Sequence, residues 1–200
     1  ITIDHLMASS AIPLLFAAVP IAHFHFSDGA MRQTMPLAPA IHLGAERILV
    51  IGARSSHIDP PVPDKPPNIG EMFGFMLDTL FMEGLHADLE RVERTNALLD
   101  HLQGCPMPLG LRRVQTLLML PRSDPRDIAI AHRNALPRTL RALLRILGVA
   151  GERGGRLMSY LMFEAPYTRE MIRLGEQDAE ARRAEISSFL GLDRQFGKAL

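Results

Sequence analysis

Among the ionisable residues of this 200-residue chain, Asp28 has the most telling surroundings. It follows the alternating run His23-Phe24-His25-Phe26 and Ser27, and it precedes two very small residues, Gly29 and Ala30. The alternation predicts a strand, and Asp-Gly predicts the turn that ends it. Small residues after the carboxylate let a substrate or another stretch of backbone come close, so the acid can point into a cleft. An aspartate so placed orients or deprotonates a nucleophile. Asp-Gly is also among the commonest turn pairs, and alone it implies only a turn.

The other chemically capable residues are less organised. His23 and His25 would share one face of the strand, a ligand-like spacing. With no third ligand nearby they read as an edge pair, so no metal site is expected. Cys105, the single cysteine, lies in Gly104-Cys105-Pro106 without any zinc-type Cys/His spacing. It reads as a small apolar filler. One cysteine excludes an internal disulfide framework and fits a reducing, cytoplasmic compartment. No pattern calls for a cofactor. Ser9, Ser10, Ser27, Ser55, Ser56, Ser123, Ser159, Ser187 and Ser188 all lack the flanking glycines of a Gly-x-Ser-x-Gly elbow. No nucleophile is expected within this chain.

The elements that must position Asp28 follow from hydrophobic period and punctuation. Residues 2–22 read as an opening segment with a compact helical or turn-rich stretch around Ala8 to Pro13. A short helix is predicted over Pro36 to Leu43, closed by Gly44. Arg47 to Gly52 is a brief apolar run ended by glycine, which predicts a strand buried on both faces in a parallel sheet. Asp59 to Pro67 is proline-dense and reads as an extended surface loop. From Asn68 to about Gln103 apolar residues recur at helical spacing, as one long helix or two broken near Gly84. Val114 to Leu120 predicts a second strand. Ser123-Asp124-Pro125-Arg126-Asp127 is a strong helix start, with a cap, a proline and a first-turn acid. Leu140, Leu143, Leu144 and Leu147 give the next helix an apolar face ended by Gly148, and Arg138, Arg141 and Arg145 line another. Further helices are expected over Gly155–Phe163 and Tyr167–Leu190, with Tyr160 and Tyr167 as anchors. This order of elements is that of an α/β domain that starts mid-sheet.

Several segments, taken together, resemble the patatin-like phospholipase family. They are Ala8-Ser9-Ser10-Ala11-Ile12-Pro13-Leu14-Leu15-Phe16, then Asp28-Gly29-Ala30-Met31-Arg32-Gln33, Pro36-Leu37-Ala38-Pro39-Ala40, and Leu43-Gly44-Ala45 with the strand Ile48–Gly52. The family has the same order: an Ala-Ser-x-Ala-x-Pro segment, an Asp-Gly-Gly or Asp-Gly-Ala motif, a Pro-Leu helix and a strand of the central sheet. The likeness covers about residues 3–53. It runs more loosely through 128–190, where Ser159 to Phe163, Leu174-Gly175 and Asp178-Ala179 look like C-terminal segments of bacterial members.

The resemblance implies the C-terminal portion of a three-layer α/β fold, a mostly parallel central sheet flanked by helices, with a helical C-terminal region. It implies hydrolysis of lipid acyl esters by a serine–aspartate dyad, with Asp28 as the aspartate and Gly29 and Ala30 completing its motif. Ser9 and Ser10 would pack beside the cleft. The family's serine elbow and glycine-rich oxyanion loop lie upstream of Ile1, and Gly154-Gly155 falls near the wrong end to replace that loop. An N-terminal segment carrying Gly-x-Ser-x-Gly is therefore the expected partner, and phospholipid or another acyl lipid the expected substrate. Thr34 stands where members commonly have Asn, and Met35 where Thr is usual, a change that would weaken hydrogen bonding in the aspartate loop. The chain divides into 1–58, belonging to the catalytic core; 59–67, the proline-rich loop; and 68–200, the rest of the core and the C-terminal helices.

Charge bears on the alternatives. The formal net charge is zero and mean hydropathy +0.07, with no basic surplus of the kind that nucleic-acid binders carry. Residues 51–100 nevertheless hold four Lys/Arg against nine Asp/Glu, a balance of −5, and residues 101–150 hold eight against two, +6. The ordinary reading is that the two segments offset each other as solvated faces. The sharper one is a basic face that meets anionic lipid headgroups, giving peripheral membrane contact. It underlies a second functional class, a lipid-surface or protein-interaction module without catalysis. The apolar stretch Leu6 to Ala22 is broken by Pro13 and Pro20 and lacks a basic leader, so neither a signal peptide nor a spanning helix is expected.

Overall fold

The computed structural model describes residues 1–13, 15–33, 35–55, 66–102, 111–149, 151 and 154–192. Thr34, Cys105 and residues 59–65 of the proline-rich loop lie outside the described residues.

The chain opens with helix α1 (Ile3–Ser9) and a hairpin of β1 (Val19–Ile21) and β2 (Phe24–Phe26), in which Val19 faces Phe26. The sequence reading had β2 but not β1. Ala22 turns the hairpin with φ +54, a left-handed conformation that costs a residue with a Cβ roughly 1 kcal/mol. After a 3-10 turn, Gly29–Met31, come α2 (Ala38–His42) and β3 (Arg47–Ile51). Gly44, at φ +96, lets the chain leave α2 as expected.

Helix α3 (Ile69–His101) is one unbroken helix about 50 Å long, with no interruption at Gly84. Its start is a reciprocal cap: Asn68 accepts from the Glu71 amide at 2.8 Å, and Glu71 accepts from the Asn68 amide at 2.9 Å. Strand β4 (Gln115–Met119) pairs in parallel with β3, Arg47 opposite Gln115 and Ile51 opposite Met119. Then follow α4 (Pro125–Ala131), a 3-10 turn (Arg133–Ala135), α5 (Arg138–Ile146), α6 (Gly155–Leu161), α7 (Ala165–Ala181) and α8 (Arg183–Leu190). Asp124 caps α4 by accepting from the Arg126 amide, with Pro125 first in the helix, as its sequence signature predicts. The expected single C-terminal helix is instead two, divided at Arg182.

The architecture is mixed α/β, mainly helical, with one small parallel sheet among the described residues. Two apolar cores hold it together. One joins Ile12 and Leu77 to Ile128, Leu144, Leu157 and Met158 of the later helices. The other packs Leu85, Leu89 and Val92 of α3 on Val50, Val114 and Leu37. Each draws residues from both before and after the proline-rich segment 59–67. The expectation of a strand buried on both faces is corrected for β3: Val50 is buried, but Ile51 is 78% exposed. Helix α3 covers one side of the β3–β4 pair, and the pair alone supplies too little sheet to bury the rest.

Gly154 and Gly155, unsuited by position to an oxyanion loop, have a packing role instead. A Cβ on Gly154 would overlap the Val149 carbonyl, and one on Gly155 would lie 3.0 Å from the Arg126 carbonyl oxygen. Backbone atoms cannot swing aside as a side-chain tip can. Gly154→Ala is expected to destabilise the fold by about 1–3 kcal/mol in urea titration, the ordinary cost of overpacking.

Candidate functional site

Asp28 sits where the β2 strand ends, half-buried, as the N-cap of the 3-10 turn. Its Oδ1 accepts from the Ala30 amide at 2.9 Å, and its own amide donates to the Ala11 carbonyl at 3.0 Å. The second bond fastens the Asp-Gly-Ala turn to the Ala8–Pro13 segment, so two separate sequence motifs meet. Oδ2 makes no hydrogen bond to a described residue, and the carboxylate forms no ion pair with one. The remaining oxygen is available to an incoming hydroxyl. A Cβ on Gly29 would meet nothing within 4 Å, so no described atom crowds the turn.

The turn is braced from α3, which also holds the start of α2. Helix α3 packs against the 3-10 turn. Buried Asp88 on α3 accepts from the Leu37 amide at 3.0 Å, fixing the start of α2, and takes a second bond from Arg91 at 2.7 Å. No signal in the sequence marked Asp88, which lies among many acids of an amphipathic helix. Ser9 and Ser10 are exposed at the end of α1, near in sequence to Ala11 but making no bond to Asp28. His23 lies in the hairpin turn and His25 in β2, both exposed. Among the described residues no group of three or more His, Cys, Asp or Glu could hold a metal ion.

A second polar assembly was not anticipated from sequence. It lies just beyond the carboxyl ends of β3 and β4, the position where open parallel sheets place their ligand sites. Asp78 of α3 receives Arg54 at 3.1 Å, Arg156 at 2.9 Å and the Tyr160 hydroxyl at 2.8 Å, with Arg126 at 3.9 Å. Arg54 also donates to Ser159 at 2.8 Å and stacks over the Tyr160 ring at 4.2 Å. Asp124 holds Arg126 at 2.6 Å. Asp78 and Asp124 thus answer three guanidinium groups, and the assembly ties the loop after β3 to α3, α4 and α6. Its chemistry is cohesion, because the carboxylate that could act as a base is already engaged by cations. Asp178 has a like role on α7, accepting from the Arg122 amide at 3.1 Å.

The protonation states agree with that role. Burial raises Asp124, but hydrogen bonds from Arg126 and the charges of Arg126 and Arg54 outweigh it, leaving the acid below its ordinary value. Burial pushes the Tyr160 phenol up to about 12, with Arg54 opposing and Asp78 assisting the rise. Burial also raises Tyr167. The folded phenols hold their protons more tightly than unfolded ones. Their contribution to stability is therefore complete below the ordinary tyrosine value of 10.0 and, for Tyr160, is lost as the pH climbs through about 12. These are the only two tyrosines, so little tyrosinate absorbance is expected from the folded chain at pH 10, against roughly half ionisation once unfolded. Equal absorbance in the two states would show that the phenols are solvated.

The basic segment divides unevenly. Arg113 pairs with Asp100, Arg122 with Asp178 and Arg126 with Asp124. Arg133, Arg138, Arg141 and Arg145 form no ion pair with a described residue. Of these pairs only Arg113–Asp100, with the longer Arg126–Asp78 contact at 3.9 Å, joins the basic segment to the acidic one, and α5 makes no such pair with a described residue. No helix among the described residues is long and apolar enough to cross a membrane. Compared with family models, curated proteins and solved structures, the chain matches none of them.

Proposed function

We propose that this chain is the aspartate-bearing portion of a patatin-like lipid acyl hydrolase acting on phospholipid or related acyl lipids. The observation that carries the reading is the bond from the Asp28 amide to the Ala11 carbonyl, which joins the Asp-Gly-Ala turn to the Ala-Ser-x-Ala-x-Pro segment. It leaves one carboxylate oxygen free. A serine in a Gly-x-Ser-x-Gly turn, brought by an N-terminal partner segment, would donate its hydroxyl proton to Asp28 while its oxygen attacks the ester carbonyl. The proton on Asp28 passes to the departing alcohol; a water then gives a proton to Asp28 and attacks the acyl-serine carbonyl, and that proton returns to the serine oxygen as the acyl bond breaks and the fatty acid leaves.

In this reading β3 and β4 belong to the central sheet of a three-layer fold, and the partner segment adds further strands. The exposure of Ile51, and of Ile3, Leu6 and Met7 on α1, supports an additional packed layer. The cytoplasmic setting rests on the cysteine content, and peripheral membrane contact on the lipid substrate. The unpaired arginines of α5 favour a second reading, a lipid-surface or interaction module without turnover.

Labelling with a serine-directed fluorophosphonate separates the two. An adduct is expected on a serine of the polypeptide that carries this chain or co-purifies with it. No adduct on either would remove the hydrolase reading and leave the module.

A further inference from the structure

We propose that the 3-10 turn at Arg133–Ala135, α5 and α6 form a binding site for a phosphate monoester group, separate from the acyl-hydrolase chemistry and not dependent on it. A cavity of about 120 Å³ opens there, lined by Arg133, Asn134, Arg141 and Arg145 above a floor of Leu136, Leu144 and Met158. The floor residues are almost wholly buried, so the cavity is backed by rigid core.

Three features point to an anion. First, three guanidinium groups border one small cavity, and none of its lining residues is acidic. Elsewhere in this fold clustered arginines are matched by carboxylates, as around Asp78. Second, Arg141 Nε is buried and has no hydrogen-bond partner. A buried charged donor without an acceptor is costly, and native structures rarely keep one unless an ion or water answers it. Third, Arg133 and Arg145 are exposed, so the mouth is open to solvent and a ligand can enter.

The number of cations selects among anions. A carboxylate is satisfied by a single bidentate guanidinium. A phosphate monoester carries about −1.5 to −2 charge and three acceptor oxygens, which suits several guanidinium groups and the Asn134 amide. The apolar floor favours a phosphate attached to carbon over a fully hydrated ion. Soluble phosphate esters and the headgroup of phosphatidate share this chemistry.

Calorimetric titration of the protein with inorganic phosphate, at constant ionic strength set with chloride, tests the site. Sedimentation with phosphatidylcholine vesicles, with and without phosphatidate, distinguishes the sources. Phosphate is expected to bind, and Arg141→Gln or Arg145→Gln to weaken it about tenfold or more, the scale of one charge-assisted bond. Arg145 is exposed, so Arg145→Gln keeps the test valid if loss of Arg141 perturbs the fold. Retention on phosphatidate vesicles that the variants lose assigns the headgroup; phosphate binding without it assigns a soluble ligand. Absence of both, or binding unchanged in Arg145→Gln and in a folded Arg141→Gln, would overturn the proposal. Fluorophosphonate labelling is expected to be the same in wild type and variants, so failure here leaves the hydrolase reading standing.

Discussion

Asp28→Asn is expected to lower kcat by about 10²–10⁴-fold in the serine-bearing protein, the usual worth of a positioned proton acceptor. The substitution is informative because it separates the two roles of the side chain. As a cap, Asp28 accepts from the Ala30 amide through one oxygen. Asparagine offers an equivalent oxygen and caps as well as aspartate does, so the 3-10 turn and the link to Ala11 should persist. What disappears is the negative charge and the capacity to take a proton. Unchanged thermal stability and unchanged lipid-surface binding should therefore accompany the lost turnover. Undiminished turnover would take Asp28 out of the mechanism, and loss of folding would show that the turn needs the charge.

The other large effect is expected at Asp78. Asp78→Ala should destabilise the fold by about 3–5 kcal/mol, the cost of leaving buried charge without its counterpart. Arg54, whose side chain is only 9% exposed, loses its ion pair and cannot reach bulk water without leaving the Tyr160 ring. Arg156 and the Tyr160 hydroxyl lose the same acceptor. The measurement is the urea midpoint at constant m-value, repeated with Arg54→Met and with both changes. A coupled pair makes the double variant more stable than the sum of the single losses implies. A loss under about 1 kcal/mol for Asp78→Ala would mean that the arginines are solvated and the assembly contributes like an ordinary surface pair.

The Asp28 turn and the Asp78 assembly differ in how much of their structure the sequence marks. The turn at Asp28 was legible because its marks are local: a strand-like run just before it, and Gly29 and Ala30 just after. The start of α4 was legible for the same reason, since Asp124, Pro125 and Asp127 each mark one feature of a helix terminus. The Asp78 assembly was not, because Arg54, Asp78, Arg126, Arg156 and Tyr160 are brought together only by tertiary packing. On the linear chain each arginine looks like one more solvated charge.

Local structure failed where its usual marks are missing. Strand β1 contains Pro20, which argues against a strand in any but an edge position. Its hairpin turns through Ala22 at positive φ, where Gly or Asn would have announced the turn. The division between α7 and α8 falls at Arg182, with neither glycine nor proline to signal it. For β3, the apolar run foretold the strand and its parallel pairing, but the same pattern could not tell how many neighbours would cover it.

Helix α3 places Leu77 in one core and Leu85, Leu89 and Val92 in the other, without a break between them. It therefore acts as a common axle for the described fold. Cutting the chain within Ile69–His101 would sever a single cooperative unit instead of releasing two independent modules. Fragments meant to isolate the Asp28 turn from the arginine-lined cavity must each retain this whole helix, and that shared requirement makes point substitution the cleaner way to dissect the protein.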